Sequence, residues 1–151
     1  MGRSRARADL LDELGQLLPR ARRLIWRLAE ARLQRLGDSM FEWPLLRRLM
    51  TLGPMSQCRL ATLAAQHPAA VSRTLDELER RGLVRRRRDA EDRRRMVVAI
   101  TARGAARCRA AHREVLVVLE EAFRPLKAPE REQLRDLLRR LVGSGDEQVS
   151  E

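Results

Sequence analysis

The 151-residue sequence has no tyrosine, and its aromatic residues are two tryptophans and two phenylalanines, 3% of the chain. Proteins that bind RNA or single-stranded DNA stack bases on aromatic rings, so this scarcity argues against both classes. No apolar stretch approaches the roughly 18 residues that a membrane-spanning helix needs. The basic start, MGRSRARADLL, leads into a pattern broken by Asp12 and Glu13. We therefore expect neither a signal peptide nor a membrane partner.

Cysteine and histidine are also scarce, with two of each. Cys58 and Cys108 cannot make a disulfide framework, so we expect a cytoplasmic, reducing environment. A Walker A loop, the G-x-S-x-G and H-E-x-x-H motifs and a Rossmann glycine fingerprint are all missing from the sequence. These absences predict a protein that is not an enzyme and that carries no cofactor.

Positive charge is abundant. Lysine and arginine number 32 against 21 acidic residues, which gives a formal net charge of +11. Every basic residue except Lys127 is arginine. Arginine suits bidentate contact with phosphate and guanine, although a GC-rich coding bias would give the same skew. The balance indicates an anionic partner, with nucleic acid ahead of a membrane surface.

The N-terminal third predicts two helices. Apolar residues recur at three- and four-residue spacing from Leu10 to Leu36, which is typical of an amphipathic helix. Pro19 interrupts this stripe and either kinks the helix or divides it in two. A second helix is predicted from residue 39 or 40 to Leu52, before Gly53-Pro54. Its predicted inward-facing residues are Phe41, Leu45, Leu46, Leu49 and Met50.

Two short helices should follow. Ser56 is placed as the N-cap of a third helix. The sequence His67-Pro68 breaks that helix, and Pro68 suits the first turn of a fourth, which closes at Gly82. The apolar positions of the fourth helix, spaced by four and three, are Val71, Leu75 and Leu78.

After Gly82 the periodicity changes from that of a helix to that of a strand. Residues 96–101 alternate and are rich in β-branched side chains, residues 83–88 can pair with them, and 89–93 form a polar tip. Helices resume after Gly104. We expect a mostly α fold with a small antiparallel β-hairpin, in which a winged helix-turn-helix module is flanked by further helices.

Charge and predicted structure agree on DNA. Residues 80–95 contain nine arginines and three acidic residues, a local charge of +6. In a winged helix-turn-helix the second helix enters the major groove and the wing contacts the backbone or minor groove. A solvated charge run is the ordinary alternative. Two further alternatives are non-specific architectural DNA binding and attachment to an anionic membrane surface.

Two segments resemble the multiple-antibiotic-resistance-regulator (MarR) family of bacterial transcription factors: VSRTLDELERRGLV, residues 71–84, and DRRRMVVAITARG, residues 92–104. The second follows the family's wing pattern, in which Asp, any residue and Arg precede an apolar strand that ends in Thr and Gly. The resemblance extends over residues 10–142. It implies an N-terminal dimerisation helix region (1–39), a winged DNA-binding module (40–102), C-terminal dimerisation helices (103–142) and a disordered tail (143–151).

The resemblance implies DNA contacts on the recognition helix and the helix before it. Ser72 and Arg73 are better candidates than Thr74, since Val71 and Leu75 belong to the buried face. Ser56 and Gln57 are placed to meet a phosphate at the start of the third helix, where Ser56 is equally well explained as an N-cap. Two alanines stand where relatives often carry hydroxyl residues and leave methyl contacts to thymine; they are Ala69 and Ala70.

In the wing, Arg94 matches the arginine that the family inserts into the minor groove. Asp92 matches the residue that holds this arginine by a charge-assisted hydrogen bond, unless it is an ordinary turn aspartate. The other predicted DNA-binding residues of the wing are Arg86, Arg88 and Arg93.

The family usually binds a small aromatic or phenolic acid between the dimerisation helices and the DNA module. Trp26, Phe41 and Trp43 cluster in sequence near that cleft, and Arg47 could meet a carboxylate. Aromatic core packing is the alternative for each ring.

The cysteines suggest two other kinds of switch. Cys58 lies near a predicted helix start, which favours a reactive thiolate and suggests redox sensing. Cys108 and His112 are spaced as metal ligands, but their partners would have to be carboxylates such as Asp38 or Glu42, so we predict no metal site.

The resemblance also implies a homodimer that represses transcription on a pseudo-palindromic operator. The leucines predicted at the dimer interface are Leu10, Leu14, Leu17, Leu134, Leu137, Leu138 and Leu141.

Overall fold

A computed structural model describes residues 2–148 and the side chains of residues 5–143. These residues form six helices and one two-stranded antiparallel sheet, which confirms the predicted fold class. The chain forms two compact units, one up to Val118 and one from Leu119. The elements are α1 (Gly2–Gln34), α2 (Glu42–Leu52), α3 (Gln57–Ala64), α4 (Pro68–Arg80), β1 (Val84–Arg88), β2 (Met96–Ile100), α5 (Ala102–Ala122) and α6 (Ala128–Gln148).

The first helix is continuous. Pro19 lies inside α1 and does not divide it, so of the two predicted alternatives the split is excluded. A proline removes one backbone hydrogen bond, and the turns on either side of Pro19 are long enough to continue without it. No described helix, α1 included, is long and apolar enough to cross a membrane.

The second helix begins later than predicted. The Ser39 hydroxyl accepts the backbone N–H of Glu42 at 3.2 Å, and α2 starts there. Leu45, Leu46 and Leu49 are buried as predicted, and Met50 is partly buried. Phe41 is half exposed. The prediction that Phe41 faces the core is wrong, because this residue precedes the helix and packs edge-on against Trp26.

The helix-turn-helix is formed as predicted. The Ser56 hydroxyl caps α3 by accepting the N–H of Arg59 at 3.3 Å. Ala65, in the left-handed conformation, makes the tight turn, and His67 Nδ1 then accepts the N–H of Ala69 at 3.3 Å to cap α4. One face of α4 is completely buried. The module's core contains Leu45, Leu46, Leu49, Met55, Leu60, Ala61, Val71, Leu75, Leu78, Leu83, Val84, Val98 and Cys108.

The hairpin forms between the two predicted segments and is anchored at its base. Val84 pairs with Ile100 and Arg88 pairs with Met96. Met55 adds a bridge that the sequence did not reveal: its N–H and carbonyl bond with Val98 at 3.2 and 2.8 Å. The base of the wing is therefore part of the core, and its tip extends away from it.

The second unit contains the end of α5, a turn and α6. Pro125 lies in the turn between the two helices. Helix α6 continues to Gln148, so the predicted disordered tail from residue 143 is wrong for residues 143–148. Gly143 and Gly145 lie inside α6, and a single glycine costs a helix about 1 kcal/mol without ending it. Residues 149–151 lie outside the described part of the chain.

Candidate nucleic-acid interface

The buried face of α4 determines which side chains face outward. Val71, Leu75 and Leu78 are fully buried, and this orientation leaves Arg73 exposed and Ser72 half-buried. The Thr74 hydroxyl donates to the carbonyl of Ala70 at 3.0 Å. Of the three hydroxyl and guanidinium candidates on this helix, Ser72 and Arg73 are therefore the better placed for DNA.

The residues predicted to contact DNA at the starts of α3 and α4 differ in exposure. Ser56 is exposed, but its hydroxyl serves as the helix cap, and Gln57 is half-buried. At the start of α4, Ala69 is exposed and Ala70 is half-buried. Their methyl groups remain available for thymine contacts, as the sequence indicated.

The wing tip is organised by its aspartates. Asp89 Oδ1 accepts the N–H of Glu91 at 2.8 Å, and this backbone bond is the main reason that the pKa of Asp89 lies below its ordinary value. Asp92 Oδ1 accepts the backbone N–H of Arg94 at 3.0 Å. The structure thus gives Asp92 the role of a turn aspartate and not the predicted contact with the Arg94 guanidinium, since a carboxylate two residues before an amide reaches it directly.

All the arginines of the wing except Arg86 are exposed. Arg94 is exposed, and its guanidinium makes no hydrogen bond or ion pair among the described residues. Arg88 donates to the carbonyl of Arg93 at 2.8 Å across the tip. The exposed guanidinium groups of the wing belong to Arg85, Arg87, Arg88, Arg93, Arg94 and Arg95. They provide a cationic surface beside α4, as phosphate binding requires.

Arg86 does not belong to that surface. Its guanidinium contacts Glu79 at 2.5 Å and Asp76 at 2.6 Å, and its backbone N–H donates to Glu79 at 2.8 Å. The backbone bond is the first reason that the pKa of Glu79 lies below its ordinary value. The prediction that Arg86 contacts DNA is therefore at odds with the structure, in which two carboxylates of α4 occupy the guanidinium. No local spacing rule joins residues 79 and 86 across a helix and a turn.

A partly buried ionic cluster lies at the C-terminal end of α4. Arg81 contacts Glu42 at 2.7 Å and Asp38 at 3.3 Å, and Arg107 contacts Asp38 at 2.8 Å. Burial raises the pKa of Glu42 despite its pairing with Arg81. The cluster ties the end of α4 to the α1–α2 turn and to α5. Asp38 and Glu42, named above as conceivable metal ligands, serve here as arginine partners, and the described residues hold no cluster suited to a metal.

The four residues predicted around a ligand separate into two places. Trp26 and Phe41, with ring centroids 5.3 Å apart, line a cleft of about 820 Å³. Trp43 instead stacks on His112, with ring centroids 5.9 Å apart, and burial together with the charge of Arg47 lowers the pKa of this histidine. The cleft's lining residues are Arg20, Arg22, Arg23, Leu24, Trp26, Arg27, Phe41, Ala64, Ala65, Gln66, His67 and Ala70.

The two cysteines differ in exposure. Cys58 is exposed near the start of α3, and Cys108 is completely buried. Burial raises the pKa of the Cys108 thiol, an effect that Arg47 partly opposes. A raised pKa makes a thiol less reactive toward oxidants.

A core-anchored helix-turn-helix beside an arginine-rich hairpin defines a winged-helix DNA-binding protein. The MarR family profile matches residues 39–96. A probable transcriptional regulator from Pseudomonas aeruginosa is 32% identical, with 87% of this chain and 98% of that chain covered and a TM-score of 0.75. The chain belongs to the MarR family of transcriptional regulators and is not an enzyme.

Other relatives agree. A MarR variant from E. coli, solved with operator DNA, is 25% identical, with a TM-score of 0.77 and coverage of 88% of this chain and 96% of that chain. The uncharacterized HTH-type regulator YdgJ of Bacillus subtilis is 34% identical over 70% of this chain. The match spans 64% of the length of YdgJ. The protein is therefore a DNA-binding regulator of this family by sequence and by fold.

Proposed function

We propose that the protein is a cytoplasmic repressor that binds a pseudo-palindromic operator as a homodimer. The observation that carries this proposal is the combination of α4, whose buried face orients Arg73 and Ser72 outward, with a wing that presents unpaired guanidinium groups. The E. coli MarR variant solved with operator DNA supports the operator as the target class. Blocking polymerase at a promoter is the action that follows from such binding.

Apolar surface outside the DNA module supports the dimer. In the first unit Leu10, Leu14 and Leu17 are exposed along α1. In the second unit Leu137 and Leu141 are exposed along α6, and the half-buried members of that stripe are Leu134 and Leu138. Apolar rows of this size are normally covered by another surface. A dimer would present two recognition helices, one from each copy, to half-sites about 34 Å apart.

Selection from a randomised duplex library, sequenced at near-physiological salt, tests this proposal. We expect a two-fold symmetric consensus with half-sites about one helical turn apart. Replacing Arg94 by alanine should weaken binding and relax preference at the flanking A·T positions, because a narrow minor groove attracts an inserted guanidinium. Alanine at Arg124, an exposed arginine of the second unit, is the matched control and should leave the consensus unchanged.

Either of two results would contradict it. If the wild-type protein enriches no sequence, the protein is an architectural DNA-binding protein whose arginines supply only phosphate affinity. If Arg94→Ala keeps both affinity and preference, the wing does not enter the minor groove.

We also propose that a small aromatic acid, such as a phenolic acid, releases the operator by binding in the cleft lined by Trp26 and Phe41. The Arg22 guanidinium lies 5.7 Å from the centroid of the Trp26 ring, so the cleft combines aromatic faces with cations that suit a carboxylate. A solved structure of BpsR from Bordetella bronchiseptica, 23% identical, concerns regulation of its DNA binding by 6-hydroxynicotinic acid.

Fluorescence can test the cleft directly. In a Trp43→Phe variant, Trp26 is the remaining tryptophan and reports on the cleft alone. We expect aromatic hydroxy acids, with 6-hydroxynicotinic acid as the first probe, to quench this fluorescence saturably and to release the operator over the same concentration range. Release without quenching would place the effector elsewhere, and neither effect across a panel of such acids would refute this mode of release.

A further inference from the structure

Helix α4 carries three acidic residues after Arg73, of which Glu77 is paired with Arg80 on the same helix and Asp76 and Glu79 are not. Asp76 follows Arg73 by three residues and lies beside it on the helix surface, and Glu79 follows Asp76 by three residues. Asp76 is 65% exposed and Glu79 is 38% exposed. Unpaired carboxylates at these positions would repel the phosphates that the neighbouring arginines attract.

Arg86 bridges both carboxylates from the middle of β1. Its two terminal nitrogens contact different acids, Nη1 with Glu79 and Nη2 with Asp76, while its backbone N–H bonds to the other oxygen of Glu79. The guanidinium is 27% exposed. Arg86 thus joins the wing strand to the recognition helix through three charge-assisted hydrogen bonds, two from its guanidinium and one from its backbone N–H.

The position of the Arg86 contacts along the hairpin determines how strongly they restrain the wing. Two-stranded hairpins are marginally stable by themselves. Val84 and Val98 anchor the base of this hairpin in the core, whereas the tip at residues 89–95 is exposed almost throughout. Arg86 pairs with Val98 in the register, so its contacts with α4 lie at the anchored base, before the strand residues that lead to the tip. The contacts of Arg86 with α4 therefore limit the movement of the rest of the hairpin relative to the recognition helix.

We propose that Arg86 is a positioning residue that holds the wing at a set distance from the recognition helix and so determines the spacing between the base pairs that the two elements contact. This proposal rests on the sequence-specific binding proposed above. Arg86 contributes to specificity without touching DNA, and its single positive charge offsets one of the two negative charges of Asp76 and Glu79.

The Arg86→Lys substitution distinguishes a positioning role of Arg86 from a direct contact with a phosphate. Lysine keeps the charge but cannot span two carboxylates with a planar fork. We expect Arg86→Lys and Arg86→Gln alike to lose preference at the base pairs under the wing, with affinity for the operator about tenfold lower. Preference under the recognition helix should persist. In the free protein, amide hydrogen exchange of residues 85–97 should become faster.

Arg87 is the matched control, since it is the next residue of β1 and its exposed side chain makes no hydrogen bond or ion pair among the described residues. Arg87→Gln should weaken binding to all sequences evenly and lower the salt dependence by about one phosphate contact. It should leave hydrogen exchange and the consensus unchanged, and Arg87→Lys should resemble the wild type.

Removing the acids instead of the arginine makes a second test with the opposite charge change. The Asp76→Asn and Glu79→Gln double variant loses two negative charges, so its net charge rises by two, and a purely electrostatic role for these residues predicts tighter binding. Loss of the contacts between Arg86 and these acids predicts faster amide hydrogen exchange in the wing and weaker sequence preference at the base pairs under it. If Arg86→Lys and the double variant both keep wild-type exchange and consensus, the proposal is overturned. If the wild type selects no consensus, the proposed function fails, and hydrogen exchange still tests whether Arg86 holds the wing to α4.

Discussion

Replacing Gly104 by alanine is expected to lower the free energy of unfolding by about 3 kcal/mol or more. Gly104 is buried in the first turn of α5, and a Cβ atom there would lie 1.9 Å from the carbonyl oxygen of Leu83 and 2.9 Å from Cγ1 of Ile100. The Leu83 carbonyl cannot move away cheaply, because it accepts both the N–H and the hydroxyl of Thr101, at 3.0 and 3.1 Å. Urea unfolding followed by circular dichroism measures the loss.

Gly15→Ala is the matched control for this prediction. Gly15 lies in α1, where an added Cβ atom would meet nothing within 4 Å, so alanine there should raise helix propensity by about 1 kcal/mol. If Gly104→Ala unfolds within about 0.5 kcal/mol of the wild type, α5 does not pack this closely on the start of the hairpin. The last residue of the DRRRMVVAITARG segment thus has a steric reason to be glycine.

Replacing Leu141 by glutamate is expected to give a monomer and to lower operator affinity by about 100-fold or more. The exposed leucines of α6 are the proposed dimer surface, and a carboxylate buried there has no partner to offset its lost hydration. A monomer binds one half-site, and it loses the gain in affinity that comes from linking two binding modules. Sedimentation velocity and operator titration measure the two effects.

Leu52→Glu is the control for the dimer, because Leu52 is 55% exposed and Leu141 is 58% exposed, and the same substitution is made at each. Leu52 ends α2 and is outside the proposed interface, so this variant should remain dimeric. Should Leu141→Glu sediment and bind operator like the wild type, α6 does not form the interface.

Periodicity in the sequence was sufficient for the elements that bury a regular apolar face. Val71, Leu75 and Leu78 recur as a helix requires, and the structure buries all three completely. The alternation of residues 96–101 likewise predicted β2 and its pairing. Phe41 was misplaced because it precedes α2, where helical spacing no longer determines the direction of a side chain.

Roles that depend on contacts between distant residues could not be predicted in this way. Trp26 and Trp43 are near each other in the sequence, yet one lines the cleft and the other stacks on His112. The ionic cluster of Asp38 joins residues 43 and 69 positions apart. Only the packing of the helices brings such groups together.

The sequence by itself indicated the family through the resemblance of residues 71–84 and 92–104. It also determined the winged module and the cationic character of the wing, because apolar periodicity and charge are local properties of the chain. The tertiary structure decided what each arginine does. Arg86 and Arg94 look equivalent in a run of nine arginines, but folding places Arg86 against two carboxylates of α4 and leaves Arg94 unpaired at the tip. A guanidinium binds whichever anion lies within reach, and the fold determines which one that is.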